Sequence, residues 1–302
     1  MIPTPLNRRQ FLETAAVAAG AMLGSTASGQ ATAPAKRTAA DLVPLGSTGL
    51  KVSRMGIGLG SSNGGAQAAG GQERFTAFIK HAYDQGITMF DTATNYQPFK
   101  MMGPAIKGLP RDKIFIQSKI EQPNNIMAAI DNHRSLWNTD YVDCMLVHLQ
   151  YHANWTDTWK KAMDDYTAAV DKKWIKVKGV SCHSLPALRA GIVSDWPEVH
   201  LVRVNPQGYR LDTEREVQDT MNGPYDIKPV LAELTKIHEK KRAVIGMKIF
   251  GGGKLTVEAD REKSLKFAMG LKEIDSVIIG YSSTTEMDQG IKLMNKVLSE
   301  MT

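Results

Sequence analysis

Eight short apolar runs, each followed by a stretch of helical periodicity, predict an α/β fold in which parallel strands close into a (β/α)8 TIM barrel. Length and composition agree, since 302 residues at 42% apolar and 23% charged suit one barrel-sized globular domain. An open dinucleotide-binding sheet is disfavoured. After Gly58 and Gly60, the third position of Gly-x-Gly-x-x-Gly holds Asn63.

Along the chain, Asn7-Arg8-Arg9-Gln10-Phe11-Leu12 comes first, followed by an Ala/Gly-rich run from Thr14 to Gly24. That run is too short for a permanent membrane span. Paired arginines ahead of Phe-Leu and a mildly apolar segment have the character of a twin-arginine export signal over 1–29, with Ala27 and Gly29 at small-residue cleavage positions. The implied partner is the twin-arginine export machinery, and the implied location is periplasmic or secreted. Residues 30–40 read as a disordered Ala/Thr/Pro linker, and the barrel domain is expected over 41–302.

Within the domain, strands are expected at 55–59, 88–90, 114–118, 142–148, 177–181, 201–204, 244–249 and 277–279. Between them, apolar residues recur at three and four spacing, as in Phe75, Phe78, Ile79 and Ala82, or Trp155, Trp159, Met163, Tyr166 and Val170. These stripes are expected to pack in the core.

A formal charge of +6 comes from basic residues scattered among acidic ones, so solvated faces are expected and nucleic-acid binding is not. Cys144 and Cys182 are too few for a disulfide scaffold or a zinc site, and each falls in a strand-like run that suits a buried thiol. No metal site is expected.

The stretch from Met89 to Lys119 carries the chemistry. Asp91 and Tyr96 stand at a strand end and its loop, Lys119 closes the next strand-like run, and His148 closes the one after. In a barrel, consecutive strand ends are neighbours at one mouth, so an acid, a phenol, an ammonium and an imidazole can meet there. Tyr96 and Lys100 also have a Tyr-x-x-x-Lys spacing, but Pro98 between them opposes the uninterrupted helix such a pair requires. A barrel glycosidase needs two carboxylates at the mouth, and Asp91 is the only acid the sequence places there.

Asp91 and Tyr96 in FDTATNY, Lys119 in FIQSK and His148 in MLVHL match, in chain order, the catalytic tetrad of the aldo-keto reductase family, which this chain resembles from Leu45 onward. PLGSTGLKVSRMGIGLG resembles the family's opening β-hairpin, and GVSCHS its fifth strand. The resemblance implies hydride transfer between NAD(P)H and a small-molecule carbonyl, alcohol or sugar. Tyr96 is then the general acid or base, Lys119 stabilises its phenolate, Asp91 orients Lys119, and a neutral His148 positions the carbonyl oxygen. The Coulomb attraction of Lys119 is expected to lower the phenol's pKa.

The resemblance also assigns cofactor residues. Ser181 holds the nicotinamide amide, with Gln207 one place displaced from the usual sixth-strand Gln; Lys248, Phe250, Gly251 and Gly253 cover the pyrophosphate; Gly280, Ser282, Glu286 and Gln289 lie along the adenosine. Glu286 stands where NADPH-preferring members carry a cation, which favours NAD(H) slightly over NADP(H). Export raises two alternatives: redox-neutral epimerase or lyase chemistry on a sugar with tightly bound NAD, and a slow-turnover cofactor-binding redox sensor. Tyr151, Trp155 and the segment 209–226 are candidates for the pocket wall.

Overall fold

A computed structural model describes residues 37–217 and 223–301 of the protein. The expected export signal and residues 30–36 of the expected linker lie outside the described residues. Over 37–40 the expectation of disorder is corrected. Ala39 is fully buried with its N–H donating to Asn295 Oδ1 at 2.7 Å, and Thr38 binds both carboxylate oxygens of Asp41. A buried methyl and a satisfied amide fasten this segment to the last helix.

The opening hairpin is present as antiparallel β1 (Leu42–Pro44) and β2 (Lys51–Ser53). Gly46, at φ +50°, lies so close to the barrel that a Cβ would stand 2.5 Å from the Ala243 nitrogen. Only glycine permits that approach. The hairpin thereby delivers Leu45 and Val52, both fully buried, to a cluster with Met89, Phe115, Cys144 and Leu146.

Eight parallel strands follow: β3 (Met55–Gly58), β4 (Met89–Asp91), β5 (Phe115–Ile120), β6 (Val142–Gln150), β7 (Ile175–Cys182), β8 (Val199–Arg203), β9 (Ala243–Met247) and β10 (Ser276–Ile279). They close in the order β10-β3-β4-β5-β6-β7-β8-β9, so every expected strand exists and neighbours in sequence are neighbours in space. After each comes a helix: α1 (Gly71–Asp84), α2 (Met102–Ile106), α3 (Ile126–Trp137), α4 (Lys160–Asp171), α5 (Leu185–Val193), α6 (Lys228–Glu239), α7 (Glu258–Gly270) and α8 (Thr284–Glu300). Phe75, Phe78, Ile79 and Ala82 are buried on α1 as their spacing predicts. The Trp155-to-Val170 stripe is divided, because Trp155–Thr158 forms a separate turn and α4 starts at Lys160.

Strand residues two apart share a face. Phe115, Gln117 and Lys119 form one such series on β5, and Cys144, Leu146 and His148 another on β6. Early members join the apolar cluster beneath the hairpin, whereas the last members, with Asp91 and Ser181, line a cleft. Cys144 and Cys182 are buried free thiols on adjacent strands.

Candidate active site

The strand ends bring the four candidate catalytic residues to one cleft. Lys119, fully buried, places Nζ 2.6 Å from Asp91 Oδ1 and 2.8 Å from the Thr92 carbonyl oxygen, to which it donates. Gln117 Nε2 donates to the same Asp91 oxygen at 2.7 Å. Two of the ammonium's three hydrogens are thus directed, and the Tyr96 ring centroid lies 4.9 Å from Nζ. Tyr96 caps a 3-10 turn (Gln97–Met101) with Pro98 as its second residue, and the alternative partner Lys100 lies on the exposed side of that turn. The tyrosine ring also lies against the end of β3. A Cβ on Gly60 would fall 2.3 Å from Tyr96 Cζ.

His148 meets Tyr96 edge to face, with ring centroids 5.8 Å apart. Its Nδ1 lies 3.5 Å from Glu121 Oε1 without hydrogen-bond geometry. The register between β6 and β7 shifts from Val147 to Gln150, and Leu149 in that bulge has φ +57°. Such bulges re-aim the side chains beside them.

Electrostatically the cluster is a balanced set. Burial alone would lower the Lys119 pKa, but Asp91 and Tyr96 outweigh it and the net direction is up. The ammonium therefore stays charged. For Tyr96 burial is the largest influence and raises the pKa, Lys119 lowers it, and Asp91 and Glu121 add to the rise. The sequence-based expectation of a lowered phenol pKa is overturned, because burial of the phenol outweighs the lowering by Lys119 and Asp91 adds to the rise. His148 is held well below its ordinary value by burial, then by Lys119 and Lys248, which leaves a neutral imidazole at neutral pH.

Among the candidate cofactor residues, Ser181, Lys248, Phe250, Gly253 and Gly280 line the same cleft. Gly280 allows a close approach there: a Cβ would stand 2.2 Å from Ser61 Oγ. Gly251 (φ +60°) turns the loop and packs against Tyr209 instead of lining the cleft. Ser282 donates through its backbone N–H and its hydroxyl to Glu286 Oε2, at 2.8 and 2.7 Å, and Arg261 lies 3.7 Å from the other carboxylate oxygen. Gln289 is exposed on α8. A glycine-lined trough with a cation at its rim fits a dinucleotide, whose phosphates need close backbone approach and positive charge.

Gln207 is a correction. It does not line the cleft; its Nε2 donates to the Asp260 carbonyl oxygen at 2.8 Å. The end of the sixth barrel strand is Arg203, buried, in contact with His183 Nδ1 and 3.5 Å from Asp212. His183 sits 3.4 Å from Ser181 Oγ, and burial followed by Arg203 drives its pKa well down. Sequence reasoning missed Arg203, His183 and Arg210. The available signal was position, since His183 lies two residues beyond Ser181 and Arg203 ends an apolar run. Of the expected pocket wall, Tyr151 and Trp155 line a neighbouring cavity with His148, and 218–222 lie outside the described residues.

Comparison with known proteins finds the same fold. The aldo-keto reductase AKR11C1 from Bacillus halodurans, in its holo form, superposes with a TM-score of 0.68 over 87% of this chain and 96% of its own, at 14% identity, a likeness of fold. The 9,11-endoperoxide prostaglandin H2 reductase of Trypanosoma cruzi (strain CL Brener) is 25% identical over 138 residues, 44% of this chain and 45% of that protein. Aldo-keto reductase YhdN of Bacillus subtilis (strain 168) is 30% identical over 120 residues, 34% of this chain and 36% of that protein. The chain thus spans less than half the length of these curated relatives. The model of the Aldo/keto reductase family matches residues 54–231, more than half of the sequence. On that match, with the closed barrel to support it, the chain belongs to the aldo/keto reductase family.

Proposed function

We propose that the protein is an exported NAD(P)-dependent oxidoreductase that moves a hydride between nicotinamide and a small carbonyl or alcohol, with Tyr96 as general acid in reduction and general base in oxidation. The observation that carries this reading is the meeting of Asp91, Lys119, Tyr96 and His148 on a glycine-lined cleft, with Lys119 directed by Asp91 at 2.6 Å. Nicotinamide supplies the hydride when bound, because no side chain can. Ser181, Phe250, Gly253 and Gly280 would hold the dinucleotide along its length.

Each side chain then has a task. Tyr96, kept protonated by burial, donates its proton to the oxygen that becomes the alcohol. Lys119, kept charged, stabilises the phenolate left behind. Asp91 holds that ammonium in place, and neutral His148 donates a hydrogen bond to the carbonyl oxygen. In cofactor preference NAD(H) is favoured slightly. Glu286 opposes a 2′-phosphate, and Arg261 at 3.7 Å from that carboxylate narrows the margin.

Loss of reduced-nicotinamide absorbance with a panel of aldehydes and sugars tests the reading, using both NADH and NADPH. Tyr96→Phe is expected to lower kcat/KM about 10²–10⁴-fold. Full activity in that variant, or no oxidation of either nucleotide by any carbonyl, overturns it. Export is supported by Arg8-Arg9-Gln10-Phe11-Leu12. Replacement of both arginines by lysine is expected to abolish transfer of the folded protein across the membrane, and cytoplasmic retention of the unaltered chain in its own cell refutes export.

A further inference from the structure

Beside the cleft just described lies a second one of about 200 Å3, which shares Gly60, Tyr96, His148, His183 and Lys248 with it and adds Asn63, Asn95, Leu149, Arg203 and Arg210. Its polar wall is one-sided. Three cations face it and no Asp or Glu lines it among the described residues. Arg203 is engaged with Asp212 and His183. Lys248 and Arg210 have no carboxylate within ion-pair distance among the described residues, and the buried Arg210 Nε has no hydrogen-bond partner. We propose that this cleft is an anion-recognising substrate subsite, in which Arg210 and Lys248 hold a carboxylate carried by the carbonyl compound whose oxygen meets Tyr96 and His148.

Backbone geometry supports a built site independently of charge. Asn63, Leu149, Arg210 and Lys248 all line this cleft, and all have positive φ, at +58°, +57°, +53° and +58°. Asparagine tolerates that region, but the other three are strained there, and such strain concentrates where side chains must be aimed. Asn205 helps to hold two of these loops together, accepting from the Tyr209 N–H at 3.0 Å and donating to the Lys248 carbonyl oxygen at 3.1 Å. Two cations without counter-ions among the described residues, held on strained backbone beside the reacting phenol, match a ligand that brings its own negative charge.

Cofactor phosphate is the other source of such a charge. Position favours the substrate at Arg210: the glycines suited to a dinucleotide, Gly253 and Gly280, line the first cleft only, while Arg210 lines only the second, beside Asn95 and Leu149; Lys248 lines both and stands between the two ligands. Arg210 does lie over the glycine loop, where a Gly252 Cβ would come 2.7 Å from its Cδ, so the experiment must separate the two.

The subsite rests on the hydride-transfer reading for the identity of its ligand, and the test therefore measures binding as well as turnover. The probes are 4-carboxybenzaldehyde and 4-methylbenzaldehyde for turnover, and the corresponding benzyl alcohols for calorimetric binding to the full chain loaded with NAD. Carboxylate over methyl is expected to be favoured about tenfold or more in both measurements, the range of a charge-assisted hydrogen bond. Arg210→Asn and Lys248→Asn keep a residue that accepts positive φ and remove the charge, and the preference is expected to fall towards one. Arg210→Lys retains the charge, and with it part of the preference; thermal melting shows that each variant is folded. Equal binding of the two alcohols by the unaltered protein overturns the proposal, and so does a preference that survives both Asn variants. Weakened NADH binding in those variants with the preference intact assigns the cations to cofactor phosphate and overturns it too. If neither aldehyde is turned over, the oxidoreductase reading fails while alcohol binding still decides the subsite.

Discussion

The floor and the mouth of the barrel lumen are made from the same strands, two to four residues apart, yet they obey opposite rules. At the floor, Met89, Phe115, Cys144 and Leu146 pack with Leu45 and Val52 from the hairpin, and none of these side chains brings a charge with it. At the mouth the same strands carry Asp91, Lys119 and the neutral His148, with two charges almost as deeply buried as the leucine. Apolar burial stabilises whatever it touches, whereas buried charge is tolerated only when paired and hydrogen-bonded. The floor is therefore held together by area and volume, and the mouth by mutual compensation between Lys119 and Asp91.

Truncation at each end separates the two regimes. Lys119→Met leaves Asp91 as an uncompensated buried charge, and the expected loss is about 3–5 kcal/mol of stability together with turnover. Adding Asp91→Asn is expected to restore most of the stability and none of the turnover. At the floor, Leu146→Ala is expected to cost about 2–5 kcal/mol through the cavity it opens, with turnover per folded molecule retained. Denaturant unfolding and assay of the folded fraction read both outcomes. Lost turnover in folded Leu146→Ala protein would show that the mouth is not insulated from the floor.

The floor was the more legible of the two in the sequence, for the same physical reason. Apolar runs and helical periodicity report burial, and burial is what builds strands, helices and the hairpin plug. The tetrad was legible because Asp91 and Tyr96 are close in sequence and Lys119 and His148 end strand-like runs. Gln207 failed because counting along the loop cannot locate where pairing stops; the last rung of β8 on β9 joins Arg203 to Met247. Arg210 was invisible since only the folded loop decides which of many scattered cations turns inward. The direction of the Tyr96 shift was missed because local sequence shows that a lysine is available but not how deeply the phenol is buried, nor that Asp91 has already engaged that lysine.

The smallest expected effect sharpens the contrast within the mouth itself, between the paired Lys119 and Lys248, which has no ion-pair partner among the described residues. Burial, reinforced by Arg203, Arg210 and Lys119, brings the Lys248 pKa down to about 8. A lowered lysine pKa means that the ammonium is present below that value and lost above it. The carboxylate preference should therefore be full on the acid side and decline as pH rises through about 8, by less than the tenfold loss expected on removing a charge outright. Lys119 has its pKa raised, so it remains charged across the same range, and Tyr96 remains protonated. His148 is already neutral there, so the rate with 4-methylbenzaldehyde should stay level while that with 4-carboxybenzaldehyde falls. Bound carboxylate stabilises the ammonium and should move the midpoint upward in the complex. In Lys248→Arg the guanidinium keeps its charge at every accessible pH, and the decline should vanish. A decline that persists in Lys248→Arg would trace it to another group and leave Arg210 as the sole anchor of the anion.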